Sequence, residues 1–131
     1  MAGHSALAHE ALQQLALERV QVLVAAAELL RSHTREGDLV CRYGGEEFVV
    51  LMPGASAVSA ARRAELWRAA LEMQRFRFKG GDVTVTLSAG AACFPDDGVD
   101  GEAILRAADE ALYRAKADGR NQVKIFSGPK N

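Results

Sequence analysis

Arg42-Tyr43-Gly44-Gly45-Glu46-Glu47-Phe48-Val49-Val50 joins a mixed polar and apolar run, residues 38–43, to a strongly apolar one, residues 48–52. Two adjacent glycines between β-prone runs predict a tight hairpin turn, because glycine adopts φ > 0 without steric cost. Their missing side chains also let another group, such as a phosphate, approach the backbone. Glu46 and Glu47 put two hard oxygen ligands beside that opening, as Mg²⁺ carried with nucleotide phosphates requires. The alternative is a solvated acidic hairpin tip, and the rest of the chain decides between them.

Upstream of the hairpin, residues 6–32 are rich in Ala, Leu, Gln and Glu, all good helix formers. Leu7, Ala8, Ala11, Leu12, Leu15 and Ala16 recur at helical spacing, as do Leu23, Ala26, Ala27 and Leu30. The two stripes are out of phase across residues 17–22, so one kinked helix and two shorter helices both fit. A polar loop over 33–37 leads into the first hairpin strand. Downstream, Pro53-Gly54 ends the hairpin, and Ser56 or Ser59 caps a helix running to about Gln74. That helix is expected to bury Val58, Leu66, Ala70 and Met73 and to expose Arg62, Arg63, Glu65 and Arg68.

Residues 76–79 predict a short strand before a Gly80-Gly81 turn, and residues 83–87 alternate at period two as a half-buried strand. Residues 101–117 give the clearest helix, with Ile104, Leu105, Ala108, Ala111, Leu112 and Ala115 inward and Gly119 as terminator. Residues 122–126 close the chain as a strand. Hairpins mixed with helices in one small chain predict an α+β fold, a mostly antiparallel sheet carrying the hairpin and flanked by helices.

The 131 residues suit a single domain, 49% hydrophobic and 25% charged, as an ordinary globular protein is. A net charge of −1 gives no general attraction to a nucleic-acid polymer or an anionic membrane, so an anionic ligand needs a local basic cluster. Cys41 and Cys93 sit in apolar strand-like runs without metal spacing; buried free thiols are favoured, with a disulfide left open. Glu10, Glu18, Arg19 and Glu28 interrupt the apolar N-terminus well short of the roughly 20 residues of a membrane span. It also lacks the features of a signal peptide, so a cytoplasmic location is expected. Trp67 and Tyr113 have apolar neighbours at helical spacing and are expected in the core. His4, His9 and His33 show no metal spacing.

Four segments together resemble one family. Residues 42–48 resemble the signature hairpin of GGDEF domains, the diguanylate cyclases, in its GGEEF variant. Residues 83–92, Val-Thr-Val-Thr-Leu-Ser-Ala-Gly-Ala-Ala, resemble the family's "VTVSIGVA" strand. Residues 108–121 resemble its "ADxALYxAKxxGRN" helix end, and Arg35-Glu36-Gly37-Asp38 resembles its RxxD product-binding motif. The resemblance implies one domain over 1–131, with a divergent helical N-terminus at 1–21, a matching part at 22–126 and a tail at 127–131.

It further implies two GTP molecules joined into cyclic di-GMP by a homodimer, the 3′-hydroxyl of one nucleotide attacking the α-phosphate of the other with Mg²⁺ or Mn²⁺. By position, Glu46 is then metal ligand and candidate base, and Glu47 the second carboxylate near the metal. Gly44 and Gly45 make room for phosphates that Lys116 and Arg120 contact, a cationic pair that suits a polyanion. The alternative for Lys116 and Arg120 is a solvated helix end. Arg35 and Asp38 bind the product: a guanidinium can donate to guanine N7 and O6, and a carboxylate can accept from N1–H and N2–H₂. An ordinary surface ion pair is their alternative. Arg62 and Arg63 are further candidates for phosphate contact.

The chain departs from the family at its start. A full member begins with a strand carrying "DxDxFKxxND", which supplies the first metal Asp and a guanine-binding Asn; a later "GHxxGD" supplies a second guanine-binding group. Aligned without gaps from Arg35, the guanine-binding Asp falls near Val20 and the metal Asp near Gly3. Alternatively, residues 3–16 resemble "GHxxGDxALxxLA" with an insertion. Either way the first metal ligand and the guanine-reading pair are missing, so the expectation is an N-terminally shortened domain without the family's first strand and with weakened or absent metal binding. The predicted function is a GGDEF domain of cyclic di-GMP signalling whose cyclase is impaired. A non-catalytic cyclic di-GMP receptor and a degenerate dimerisation module are the alternatives.

Overall fold

The computed structural model describes residues 2–8, 16–43, 47–78 and 81–128, with side chains from 20–43, 47–77 and 81–128. Strand β1 (Ala2–Ala8) opens the chain, followed by helix α1 (Ala16–Ser32) and the hairpin strands β2 (Leu39–Arg42) and β3 (Glu47–Leu51). Helix α2 (Ala57–Met73) precedes the strands β4 (Arg75–Phe78), β5 (Gly81–Thr84) and β6 (Thr86–Ala92). Helix α3 (Gly101–Ala117) and strand β7 (Val123–Ile125) complete the order. One sheet runs β2-β3-β1-β6-β7, and β4 with β5 forms a separate ribbon. All pairings are antiparallel except β6 with β7. The α+β fold with a mostly antiparallel sheet is as the sequence predicts.

Residues 2–8 correct the helical N-terminus. They form a strand between β3 and β6, with Ala6 opposite Glu47 on one side and His4 opposite Gly90 on the other. Ala, Gly and Ser are poor strand formers, so local propensity points elsewhere. The inner edges of β3 and β6 nevertheless present rows of N–H and C=O groups that need partners, and pairing satisfies them. Tertiary context thus overrides propensity. The sheet has a strand at its centre after all, although that strand lacks the "DxDxFK" motif.

The phase of α2 is also corrected. Its buried residues are Ala60, Arg63, Ala64, Trp67 and Leu71, while Val58, Leu66 and Met73 are exposed. The true stripe is 60-64-67-71, and one of its inward neighbours is an arginine, which is why apolar counting misplaces the face. Ser56 caps the helix, accepting from the Ser59 N–H (3.0 Å). With Val22, Leu30, Val50, Met52 and Val85, Trp67 and Leu71 fill the main core. Each such large side chain contributes roughly 1.5–3 kcal/mol by leaving water.

The alternating run over 83–87 divides at buried Val85, so β5 and β6 belong to different sheets. On α3, the predicted face is right: Ile104, Ala108, Ala111, Leu112 and Ala115 are buried and Leu105 is partly so. Asp100 caps its start, accepting from the Ala103 N–H (2.8 Å). At its end, Arg120 N–H donates to Ala115 O (2.9 Å) and Gly119 N–H to Lys116 O (3.4 Å), with Gly119 at φ +115. This is a Schellman closure. Tyr113 is exposed, not packed in the core. Both cysteines are free as favoured, but Cys41 is exposed and Cys93 half-buried. Among the described residues, no helix is long and apolar enough to cross a membrane.

Candidate functional site

The hairpin closes by register and by hydrogen bond. Arg42 stands opposite Phe48, and Tyr43 N–H donates to Glu47 O (2.6 Å). Gly44, Gly45 and Glu46, which carry the predicted phosphate room, the metal ligand and the candidate base, lie outside the described residues. Glu47 stands at the start of β3, half-buried. Its Oε1 is 3.8 Å from Lys116 Nζ in the last turn of α3. The fold therefore brings the hairpin carboxylate and the helix-end lysine, 69 positions apart in sequence, to one place.

Arg120 follows at the exposed corner beyond α3, with φ +63, and Asn121 has φ +50. Two consecutive non-glycine residues in the left-handed region are uncommon and need support from their surroundings. Asn121 supplies it. Its N–H donates to Ser88 Oγ (3.0 Å), its Oδ1 accepts from Arg68 Nη1 (2.8 Å), and its Nδ2 donates to Glu72. Arg68 also forks onto Glu65 (2.8 and 2.6 Å). Sequence reading misses this network, although Glu65, Arg68 and Glu72 stand at the i, i+3 and i+4 spacings that signal it. Among the described residues no partner holds the Arg120 guanidinium, which leaves it available to an anion.

The Arg35–Asp38 turn is built differently from a surface ion pair. Asp38 Oδ2 accepts from the backbone N–H of Arg35 (2.7 Å) and from Arg63 Nη2. Arg63 also donates to the carbonyl of His33 (3.2 Å), and its guanidinium lies 5.8 Å from the Trp67 ring centroid. The Asp38 side chain is only 5% exposed and that of Arg63 9%. Burial pushes the Asp38 carboxyl up, but the Arg63 hydrogen bond, the Arg35 N–H and the two guanidinium charges outweigh it. The net effect holds Asp38 below its ordinary value. The exposed side chain of Arg35 stands at the rim of a cleft of about 300 Å³, lined also by Glu36, Asp38, Pro53, Ser59 and Arg63.

Arg62 and Arg63, predicted together on the solvent face, are separated by the structure. Arg62 is exposed, with no partner among the described residues, whereas Arg63 is buried. A second cleft, about 320 Å³, lies between α1 and the hairpin strands and is lined by Val20, Leu23, Val24, Val40 and Phe48 together with the charged Glu28, Arg31 and Arg42. Position 20, where the ungapped alignment puts the guanine-binding Asp, carries a valine side chain without an acceptor.

Comparison with known proteins decides the kinship of these motifs. The family model "Diguanylate cyclase, GGDEF domain" matches residues 20–122. The chain belongs to the GGDEF family. Diguanylate cyclase DgcP of Pseudomonas aeruginosa is 42% identical over 105 residues, 80% of this chain and 16% of that protein. The GGDEF domain of YfiN (TpbB) from the same species superposes with a TM-score of 0.86 at 31% identity, covering 98% of this chain and 82% of that one. The GGDEF domain of DgcB from Caulobacter crescentus, solved in complex with c-di-GMP, shares the fold (TM-score 0.83, 24% identity, 97% and 78% covered). This GGDEF domain spans between 16% and 28% of the length of the curated relatives it matches.

The described residues do not by themselves complete a metal site: no group of three or more His, Cys, Asp or Glu could hold an ion. Glu47 offers one carboxylate beside a lysine, and Mg²⁺ demands a near-octahedral oxygen shell that a single side chain cannot fill.

Proposed function

We propose that this chain binds cyclic di-GMP through Arg35 and Asp38 and is impaired as a cyclase when it stands alone. The observation that carries this reading is the Asp38 carboxylate, buried, ionised and held in a turn whose other charged member, Arg35, is exposed at a cleft. A carboxylate so held can accept from guanine N1–H and N2–H₂ while Arg35 donates to N7 and O6. Arg62 is free to contact phosphate from α2.

The half-site for GTP is partial. Lys116 and Arg120 supply the positive charge that a triphosphate needs, and Lys116 would exchange Glu47 for it. Glu46, with Glu47, is the proposed metal ligand and base, and Mg²⁺ or Mn²⁺ would bind weakly, relying on the nucleotide's own phosphate oxygens. Turnover would need two such chains facing each other as a homodimer. Val20, at the position of the family's guanine-binding Asp, carries no acceptor, which weakens the orientation that a near-attack geometry depends on.

Calorimetry of the purified chain with cyclic di-GMP tests the reading. Saturable binding that Arg35→Ala and Asp38→Ala each abolish is expected. Unchanged affinity in Arg35→Ala would sink the assigned site. No heat with either cyclic di-GMP or GTP would favour a dimerisation module instead.

A further inference from the structure

We propose that Arg63 is the positioning residue of the dinucleotide site: it never touches the ligand, and it acts by holding Asp38 Oδ2 so that Oδ1 is kept for the guanine donors. This rests on the functional reading above and adds a residue that the RxxD motif does not contain.

Three contacts fix the Arg63 guanidinium at once: the Asp38 carboxylate, the His33 carbonyl and the face of Trp67. They come from both ends of the loop that carries Arg35 and from the helix beneath it. To reach a ligand phosphate, Arg63 would have to break all of them and leave a buried carboxylate uncompensated, which is strongly unfavourable. On the carboxylate, both hydrogen bonds fall on Oδ2, and none from a described residue reaches Oδ1. One oxygen is thus committed to the fold, and the other remains for a donor from outside. The planar fork of arginine suits this task, since it can serve two acceptors and stack on an indole together, whereas a lysine ammonium cannot.

Loss of Arg63 has a defined chemical consequence. Burial would then be opposed only by the Arg35 N–H and the Arg35 charge, so the Asp38 carboxyl would move up from where Arg63 holds it, and a protonated carboxyl offers the guanine donors less. The charged groups around Asp38 are Arg35 on its own loop, Glu36 on the cleft wall and Arg63 from α2. Beside them, His33 bonds through its ring to Ser32 and Leu29. Glu36, Arg35 and His33 are common to every variant compared below, so a change in pH profile reports on Arg63.

Cyclic di-GMP affinity of the full chain is measured by calorimetry between about pH 4 and pH 7, a window running upward from the ordinary carboxylate range. The wild-type chain should bind with nearly constant affinity across it. Arg63→Gln should lose about tenfold at neutral pH, within the coupling seen for residues in direct contact, and should weaken further as pH falls. Arg106→Gln, an exposed position on α3 outside the site, should keep both the affinity and the flat profile. If Arg63→Gln does not fold, as circular dichroism would show, Arg63→Lys keeps the charge and carries the test through a double-mutant cycle. Its loss of affinity should shrink in an Asp38→Asn background, which keeps one acceptor for measurable binding but no carboxylate to be held ionised. Additive losses would mean that Arg63 contacts the ligand itself and would overturn the proposal. Wild-type affinity and a flat profile in a folded Arg63→Gln would also overturn it. Absence of binding by the wild-type chain would remove the functional reading and this inference with it.

Discussion

At the scale of single residues, Asn121 shows how a motif letter becomes a physical device. Its side chain bridges Arg68 and Glu72, its N–H reaches buried Ser88, and its own φ of +50 is one that asparagine tolerates better than most residues. Replacing it by alanine removes two bonds to charged groups and adds backbone strain, so Asn121→Ala should lose about 1–2 kcal/mol of stability after allowance for the exposed partners. The sign of the pH dependence follows from the partners. The hydrogen bond from Arg68 holds Glu65 below its ordinary value of 4.5 against burial, and the Asn121 bond, then the Arg68 bond, holds Glu72 low. Depressed carboxylates stabilise the fold fully above that ordinary value and lose the contribution as pH falls through the folded one. Thermal melts should therefore show the gap between wild type and Asn121→Ala narrowing below about pH 4.5. A gap that stays constant down to about pH 3 would mean that the bonds to Glu72 do not matter.

At the scale of elements, Gly90 fixes how closely α3 lies on the sheet. A Cβ placed on it would stand 2.2 Å from Ala108 O and 2.4 Å from Leu112 N, both backbone atoms that cannot swing aside. Gly90→Ala should therefore push α3 off β6 and cost about 1–3 kcal/mol or more, the range of core overpacking. A melting temperature within a degree or so of wild type would refute that contact. The same elements show what a sequence discloses. The α3 face was legible because every inward position is apolar, from Ile104 to Ala115. That of α2 was not, because Arg63 takes an inward place and Val58, Leu66 and Met73 lie outward. Residues 2–8 escaped for a different reason: their strand exists through pairing with β3 and β6, which no local pattern encodes. In the site, Arg35, Asp38, Glu47, Lys116 and Arg120 could be named because they stand in motifs at fixed spacing. Arg63 belongs to no motif, and only the folded chain shows that it sits beneath Asp38.

At the scale of the whole molecule, the fold and the chemistry of its central strand come apart. Among the described residues the sheet has five strands, and β1 lies directly beside the hairpin strand, with Ala6 opposite Glu47. Yet β1 reads Ala-Gly-His-Ser-Ala-Leu-Ala and contains no carboxylate. The strand next to Glu47 thus satisfies the backbone of β3 without adding a carboxylate to whatever Glu46 and Glu47 provide. A cation there would depend on the hairpin and on nucleotide phosphates, and position 20, where the ungapped alignment puts the guanine-binding Asp, is a valine. Incubated with GTP and Mg²⁺, the chain should therefore form cyclic di-GMP no faster than its Glu46→Ala variant, while still binding the finished dinucleotide through Arg35 and Asp38. Loss of a metal ligand and loss of orientation each remove orders of magnitude in rate, so the two together should place turnover below detection. Product formed well above the Glu46→Ala control would show that the hairpin assembles its metal from donors other than β1, and the proposed impairment would have to be withdrawn.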